Sequence, residues 1–363
     1  MTSEPFSKVL GPAKVVVMLG AGGVGKTTSA ILVAMLGAMQ GRRVALLSID
    51  PARRLAAALG LPLGNQLKRI NLPPEFGAKG TIDGAMLDQK AVFDAMVRRY
   101  APSDVVAERI LAHQVYRAIS ANLSGPLEYM ALAKLHELSE DHRYDLIVLD
   151  TPPDTHALDF LARPNVLAGF MENRVMTWLI KPFLFAGKLG LGKLFSAGEK
   201  LMGGVAKVTG VTALHSFGEF LVLMQEVIEG FHSSGEKIVQ LLRRNDTAFV
   251  LVTVPTAAAS RSAINLTQQL REMNYEAGAV IFNRCLPAAV SKELADAGEA
   301  DDSLLGRRFA GERRILRELG VALTAAQRSR PPRFVLTDQD QDLGSAAALM
   351  ALSLQLENAA FAD

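Results

Sequence analysis

The chain has 363 residues, 49% of them hydrophobic and 21% charged, with a formal net charge of +2. That length allows one large α/β domain with a substantial core, and the near balance of charge, with arginine pairs merely scattered along the chain, argues against a nucleic-acid binder. A single cysteine, Cys285, excludes intrachain disulfides and any zinc site built from several thiolates of one chain.

The opening MTSEPFSKVLGPAKVVV has no basic segment ahead of an apolar one and does not read as a secretory signal. A cytoplasmic protein is expected, at most peripheral to a membrane. Val15 to Leu19 form a short β-branched apolar run, the pattern of a strand buried on both faces. LGAGGVGKTT occupies residues 19–28, and beyond it Ile31, Leu32, Met35, Leu36 and Met39 recur at helical spacing up to a stop at Gly41. Strand, glycine loop, helix is the context in which Gly20, Gly25, Lys26 and Thr27 satisfy G-x-x-x-x-G-K-[ST], the phosphate-binding P-loop. Without Cβ atoms in the way, backbone N–H groups can converge on a phosphate, and the helix N-terminus adds partial positive charge. The expected cradle is Gly20, Ala21, Gly22, Gly23, Val24, Gly25, Lys26, Thr27 and Thr28, with Lys26 on the β- and γ-phosphates and Thr27 on Mg2+.

RRVALLSID, residues 42–50, is a second apolar strand and ends at Asp50, close to Arg53 and Arg54. From Asp83 to Glu140 the pattern turns helical: KAVFDAMVRRY puts Val92, Phe93, Met96, Val97 and Tyr100 on one face, and PLEYMALAKLHELSE reads likewise. YDLIVLD, residues 144–150, is a third strand, ending at Asp150 before TPP. Carboxylates at the C-terminal ends of parallel strands share a crevice edge with a P-loop, and an aspartate after an apolar run matches the metal-side carboxylate of P-loop NTPases.

From Asn165 to Arg244 the helical pattern returns. Residues 175–215 are apolar, glycine-rich and almost free of acids, yet Lys181, Pro182, Lys188 and Lys193 interrupt any membrane span of about 20 apolar residues. Three readings stand: a groove for a hydrophobic client, a lipid-touching helix, or a hairpin packed at a dimer interface. GKLGLGK, residues 187–193, imitates the P-loop by chance, since Leu194 follows and no strand precedes it. TAFVLVTVP (247–255) and EAGAVIFNR (276–284) are further buried strands around a helix from Ala258 to Met273. The second runs into Asn283, whose amide either reads an adenine edge or forms a turn. GRRFAGERRILRELG is a basic amphipathic helix, and a short strand, a turn and a helix end the chain. No histidine belongs to an H-E-x-x-H pair; His156 is either a nucleotide sensor or a packing residue.

GAGGVGKTT, SIDPARRLAAALG, LIVLDTPPDTHALDFL and VIFNR stand in the order and approximate spacing of the ArsA-type ATPases. The chain resembles that family over nearly its whole length, and most closely its single-domain bacterial members. The family includes arsenite-pump ATPases and the cytosolic ATPase that targets tail-anchored membrane proteins. The resemblance implies an α/β P-loop NTPase with a doubly wound, mainly parallel sheet over residues 12–82, 141–164 and 245–363, and an inserted α-helical subdomain over 83–140 and 165–244. It implies Mg2+-dependent ATP hydrolysis, in which Asp50 orients or deprotonates water and Asp150 senses the metal and γ-phosphate. Both would hold Mg2+ through water, and Asn283 would contact the base. It further implies a homodimer with facing ATP sites, coupled to a hydrophobic or membrane-protein client. Driving an arsenite-type anion pump, or holding clients with little turnover, are the alternatives.

Where the family carries a second lysine after the first loop glycine, this chain has Ala21. The missing charge is expected from Arg53 or Arg54, or from a lysine-bearing paralogue in a heterodimer; the alternative is that the arginines are solvated and hydrolysis is slow. One cysteine cannot supply the zinc clasp of the targeting members or a three-thiolate arsenite site, so no zinc is expected.

Overall fold

Val15–Leu19 (β1), with all five side chains buried, is a central strand of an eight-stranded sheet. This computed structural model describes residues 4–49, 54–74, 77–122, 127–151, 209–287, 290–293, 303–328, 330–339 and 346–358. The other strands are Arg43–Ser48 (β2), Lys68–Ile70 (β3), Thr81–Met86 (β4), Leu146–Asp150 (β5), Thr247–Thr253 (β6), Ala277–Cys285 (β7) and Arg333–Thr337 (β8). Their order is β3-β4-β2-β5-β1-β6-β7-β8, and only the β3–β4 pair is antiparallel. Apolar runs such as Val15–Leu19 and Leu146–Leu149 suit this position, because a parallel sheet is covered on both faces. The sheet is doubly wound and mainly parallel, as expected.

Helix Lys26–Met39 (α2, counting Phe6–Leu10 as α1) lies on one face, buried from Ser29 through Ala38. It packs on Val16, Met18, Val44, Leu46, Leu146 and Val148 and against the C-terminal helix Ala346–Asn358. Parallel pairing sets Met18 and Ser48 level with Asp150, which brings three strand ends together beneath the start of α2.

Two strands fall outside the expected set. Thr81–Met86 runs past Asp83, where the helical pattern was expected to begin. Asp83 and Gly84 depress strand propensity, but both have partners at this edge. Asp83 accepts hydrogen bonds from Arg69 Nε (2.6 Å) and Tyr144 Oη (3.0 Å), while a Cβ on Gly84 would run into the Ile70 side chain.

The chain divides into two compact units, Met1–Asp88 with Lys134–Ala162 and Gln240–Asp363, and Gln89–Ala133 with Arg163–Val239. The first holds the sheet. The described part of the second is helical: Gln89–Tyr100 (α4, after Arg54–Leu59 as α3), Asp104–Ala112 (α5), Gln114–Asn122 (α6) and most of Thr209–Leu242 (α8, after Leu127–Glu140 as α7). Ser103 caps α5 by accepting from Val106 N. The rings of Phe93 and Tyr116 stack at 5.4 Å, and the Tyr116 hydroxyl donates to Asp94 at 2.6 Å. The 175–215 stretch lies outside the described residues up to 208, so its three readings stand as expectations.

Candidate nucleotide site

The loop after β1 turns into α2 at Gly25, which is left-handed at φ +94° and serves as the helix N-cap. No acidic residue occupies the first turn of α2, so nothing there competes with a bound anion. Gly22 and Gly23 are exposed at the tip, while Val24 is buried in the core and anchors the loop. Lys26 is buried, its ammonium donating to the carbonyls of Gly20 and Ala21, both at 2.9 Å. Carbonyl dipoles offset the cost of burying that charge.

Asp150, at the end of β5, is fully buried. Its Oδ2 accepts hydrogen bonds from Thr27 Oγ1 at 2.8 Å and from Ser48 Oγ at 2.9 Å. The next residue, Thr151, donates to the Met18 carbonyl at 2.6 Å and ties the β5 exit to β1. Asn283, at the end of β7, donates from Nδ2 to the Val24 carbonyl at 2.9 Å, and its Oδ1 accepts from Arg284 N at 3.0 Å. A Cβ on Gly25 would collide with that same amide nitrogen, so the left-handed glycine and the asparagine fit only as a pair.

The loop from Gly20 to Thr28, Asp150 and Asn283 thus meet at the carboxyl ends of the strands. Asp50, Arg53 and His156 lie outside the described residues, and Arg54 is the first residue of α3. Two participants escaped the sequence reading. Ser48 precedes Asp50 by two positions, and only strand alternation marks it as facing α2. Thr151 was legible merely as part of the TPP exit.

These groups fit a magnesium nucleotide. Hydroxyl and carboxylate oxygens are the hard donors that Mg2+ takes, and a lysine beside glycine N–H groups at a helix N-terminus suits a polyphosphate. Cys285 contributes no such chemistry: it is buried, and desolvation pushes its thiol well above the ordinary range. Among the described residues no group of three or more His, Cys, Asp or Glu is placed to hold a metal ion, and no helix is long and apolar enough to cross a membrane.

The family model of anion-transporting ATPases matches residues 13–303. The chain is 27% identical over 267 residues to the ATPase GET3 of Malassezia globosa, an alignment covering 74% of this chain and 71% of that one. An ATPase ASNA1 homolog of Entamoeba dispar is 26% identical over 274 residues, 74% of this chain and 75% of that one. An arsenical pump-driving ATPase of Acidiphilium multivorum is 31% identical over 156 residues, 42% of this chain and 26% of that one.

Proposed function

Because this chain belongs to the anion-transporting, ArsA-type ATPase family and is an ATP hydrolase, we propose that it hydrolyses Mg·ATP at the Gly20–Thr28 loop and uses nucleotide state to open and close a dimer. The observation that carries the reading is the buried Asp150 carboxylate receiving Thr27 and Ser48 directly beside the lysine-bearing loop. Thr27 would ligate Mg2+, with Asp150 and Asp50 acting through water. The metal, when bound, supplies positive charge to the β- and γ-phosphate oxygens.

Lys26 would exchange its two loop carbonyls for phosphate oxygens, trading dipoles for full opposite charge. Asp50 would orient or deprotonate the attacking water, and Arg53 or Arg54 would supply the charge that Ala21 does not. In a closed dimer the positioned groups stabilise transition-state charge with little reorganisation. The client would be a hydrophobic or membrane-protein segment. Two similar proteins carry the names GET3 and ASNA1, over about three quarters of this chain. Against an arsenite pump stands the lone buried Cys285, which cannot form a three-thiolate site.

Lys26→Ala is expected to lower turnover at least about 10²-fold, measured as phosphate release. In sedimentation velocity, the parental protein with a non-hydrolysable ATP analogue should run as a dimer more compact than the nucleotide-free form. Parental turnover in the lysine variant overturns the site, and an unchanged monomer with nucleotide overturns the dimer.

A further inference from the structure

Taking the glycine loop as the ATP site proposed above, we propose that Glu312 is a positioning residue of that site. It holds the bulged exit of β7 in the shape that lets Asn283 clamp the phosphate loop.

The contacts form one chain. Between β7 and β8 the pairing advances from Phe282↔Val335 to Cys285↔Thr337, so β7 spends one residue more than its neighbour. The extra residue falls at Asn283–Arg284, and Arg284 is left-handed at φ +57°. A bulge re-aims side chains next to it, and a non-glycine residue in this region persists only where its surroundings hold it there. Three backbone N–H groups do so. Arg284 N donates to Asn283 Oδ1 (3.0 Å), Asp338 N donates to the Cys285 carbonyl (2.7 Å), and Leu286 N donates to both carboxylate oxygens of Glu312, at 3.0 and 3.1 Å.

Glu312 lies on helix Leu304–Ala326 (α10, after Ala257–Glu272 as α9), in line with the buried Leu316, Leu319 and Leu323. It is 7% exposed. A carboxylate on an apolar stripe is costly to bury, and burial raises its pKa while the Leu286 N–H opposes that rise. An apolar residue would fill the position more cheaply; what the carboxylate adds is the grip on the β7 exit. From that exit the chain of contacts passes through the Asn283 amide to the Val24 carbonyl and the left-handed Gly25, the residue that caps α2.

The test uses the full chain. Glu312→Met keeps the volume and removes the acceptor, whereas Glu312→Gln keeps a carbonyl oxygen for Leu286. The methionine variant should raise the KM for ATP about tenfold with kcat within about twofold, and the glutamine variant should stay within about threefold of the parental KM. In an Asn283→Ala background the methionine substitution should add nothing further, because both act on one contact. In nucleotide-free protein, amide hydrogen exchange over residues 20–28 should quicken about fivefold in the methionine variant. An unchanged KM, multiplicative effects in the double variant, or unchanged exchange over 20–28 would each overturn the proposal. If the parental protein shows no turnover, the ATP reading fails while the exchange measurement still decides the role of Glu312. If the methionine variant does not fold, Asn283→Ala decides: added Mg·ATP should protect residues 20–28 but no longer 283–287, and protection reaching Leu286 as in the parent would sever the link.

Discussion

Gly25 answers two demands at once: its φ of +94° lies in the left-handed region, and the Asn283 amide stands where a Cβ would be. Gly25→Ala is therefore expected to cost about 2–3 kcal/mol in urea unfolding, adding left-handed strain to overpacking, and to weaken Mg·ATP binding in calorimetry. A variant as stable as the parent would mean the loop relaxes without loss. At this scale much of the site was legible. Gly20, Gly25, Lys26 and Thr27 announce themselves because every determinant lies within one short segment, and Asp150 stands out as a charge closing an apolar run. Ser48 and Glu312 did not stand out. A serine at a strand end and a glutamate in a basic helix are ordinary in sequence, and their meaning comes from Asp150 and Leu286, residues 102 and 26 positions away.

Among the elements, β2 and β5 are joined near their start by an arginine fork. Arg43 donates from Nε and its backbone N to Asp145 Oδ2 and from Nη2 to Oδ1, at 2.8–3.0 Å. These bonds hold the Asp145 carboxyl down at about 2. A carboxyl with a depressed folded pKa stabilises above its unfolded value of about 3.9, and that contribution disappears as pH falls through about 2. Asp145→Asn should therefore have a lower urea midpoint than the parent at pH 7, and the gap should close between about pH 4 and pH 2. A gap independent of pH would place the stabilisation in packing instead. The pair is half exposed, so the gap should also shrink in high salt. The central strands were readable because burial on both faces writes an unbroken apolar run. The β3–β4 edge was not: Lys68 and Arg69 carry no strand pattern and Asp83 opens the stretch expected to be helical, until Arg69 and Tyr144 are seen to satisfy Asp83.

For the whole molecule, the proposed dimer needs a charge that Ala21 does not carry. The Arg53→Ala, Arg54→Ala double variant should lower turnover about 10²-fold and leave ATP affinity within about threefold; parental turnover would assign the charge to another chain or to neither arginine. The sequence by itself determined the strand, glycine loop and helix that make the proposed phosphate cradle, and the aspartate that closes the third long apolar strand. Backbone φ preference, helix polarity and apolar periodicity all act over a few residues, so they can be read along the chain. Only the tertiary structure decided which distant groups share the cradle. Thr27 meets Asp150 across 123 positions, and Asn283 meets Val24 across 259. Those meetings depend on strand order, on the register of parallel neighbours and on one bulge in β7, and register is a property of two strands together that neither sequence segment carries alone.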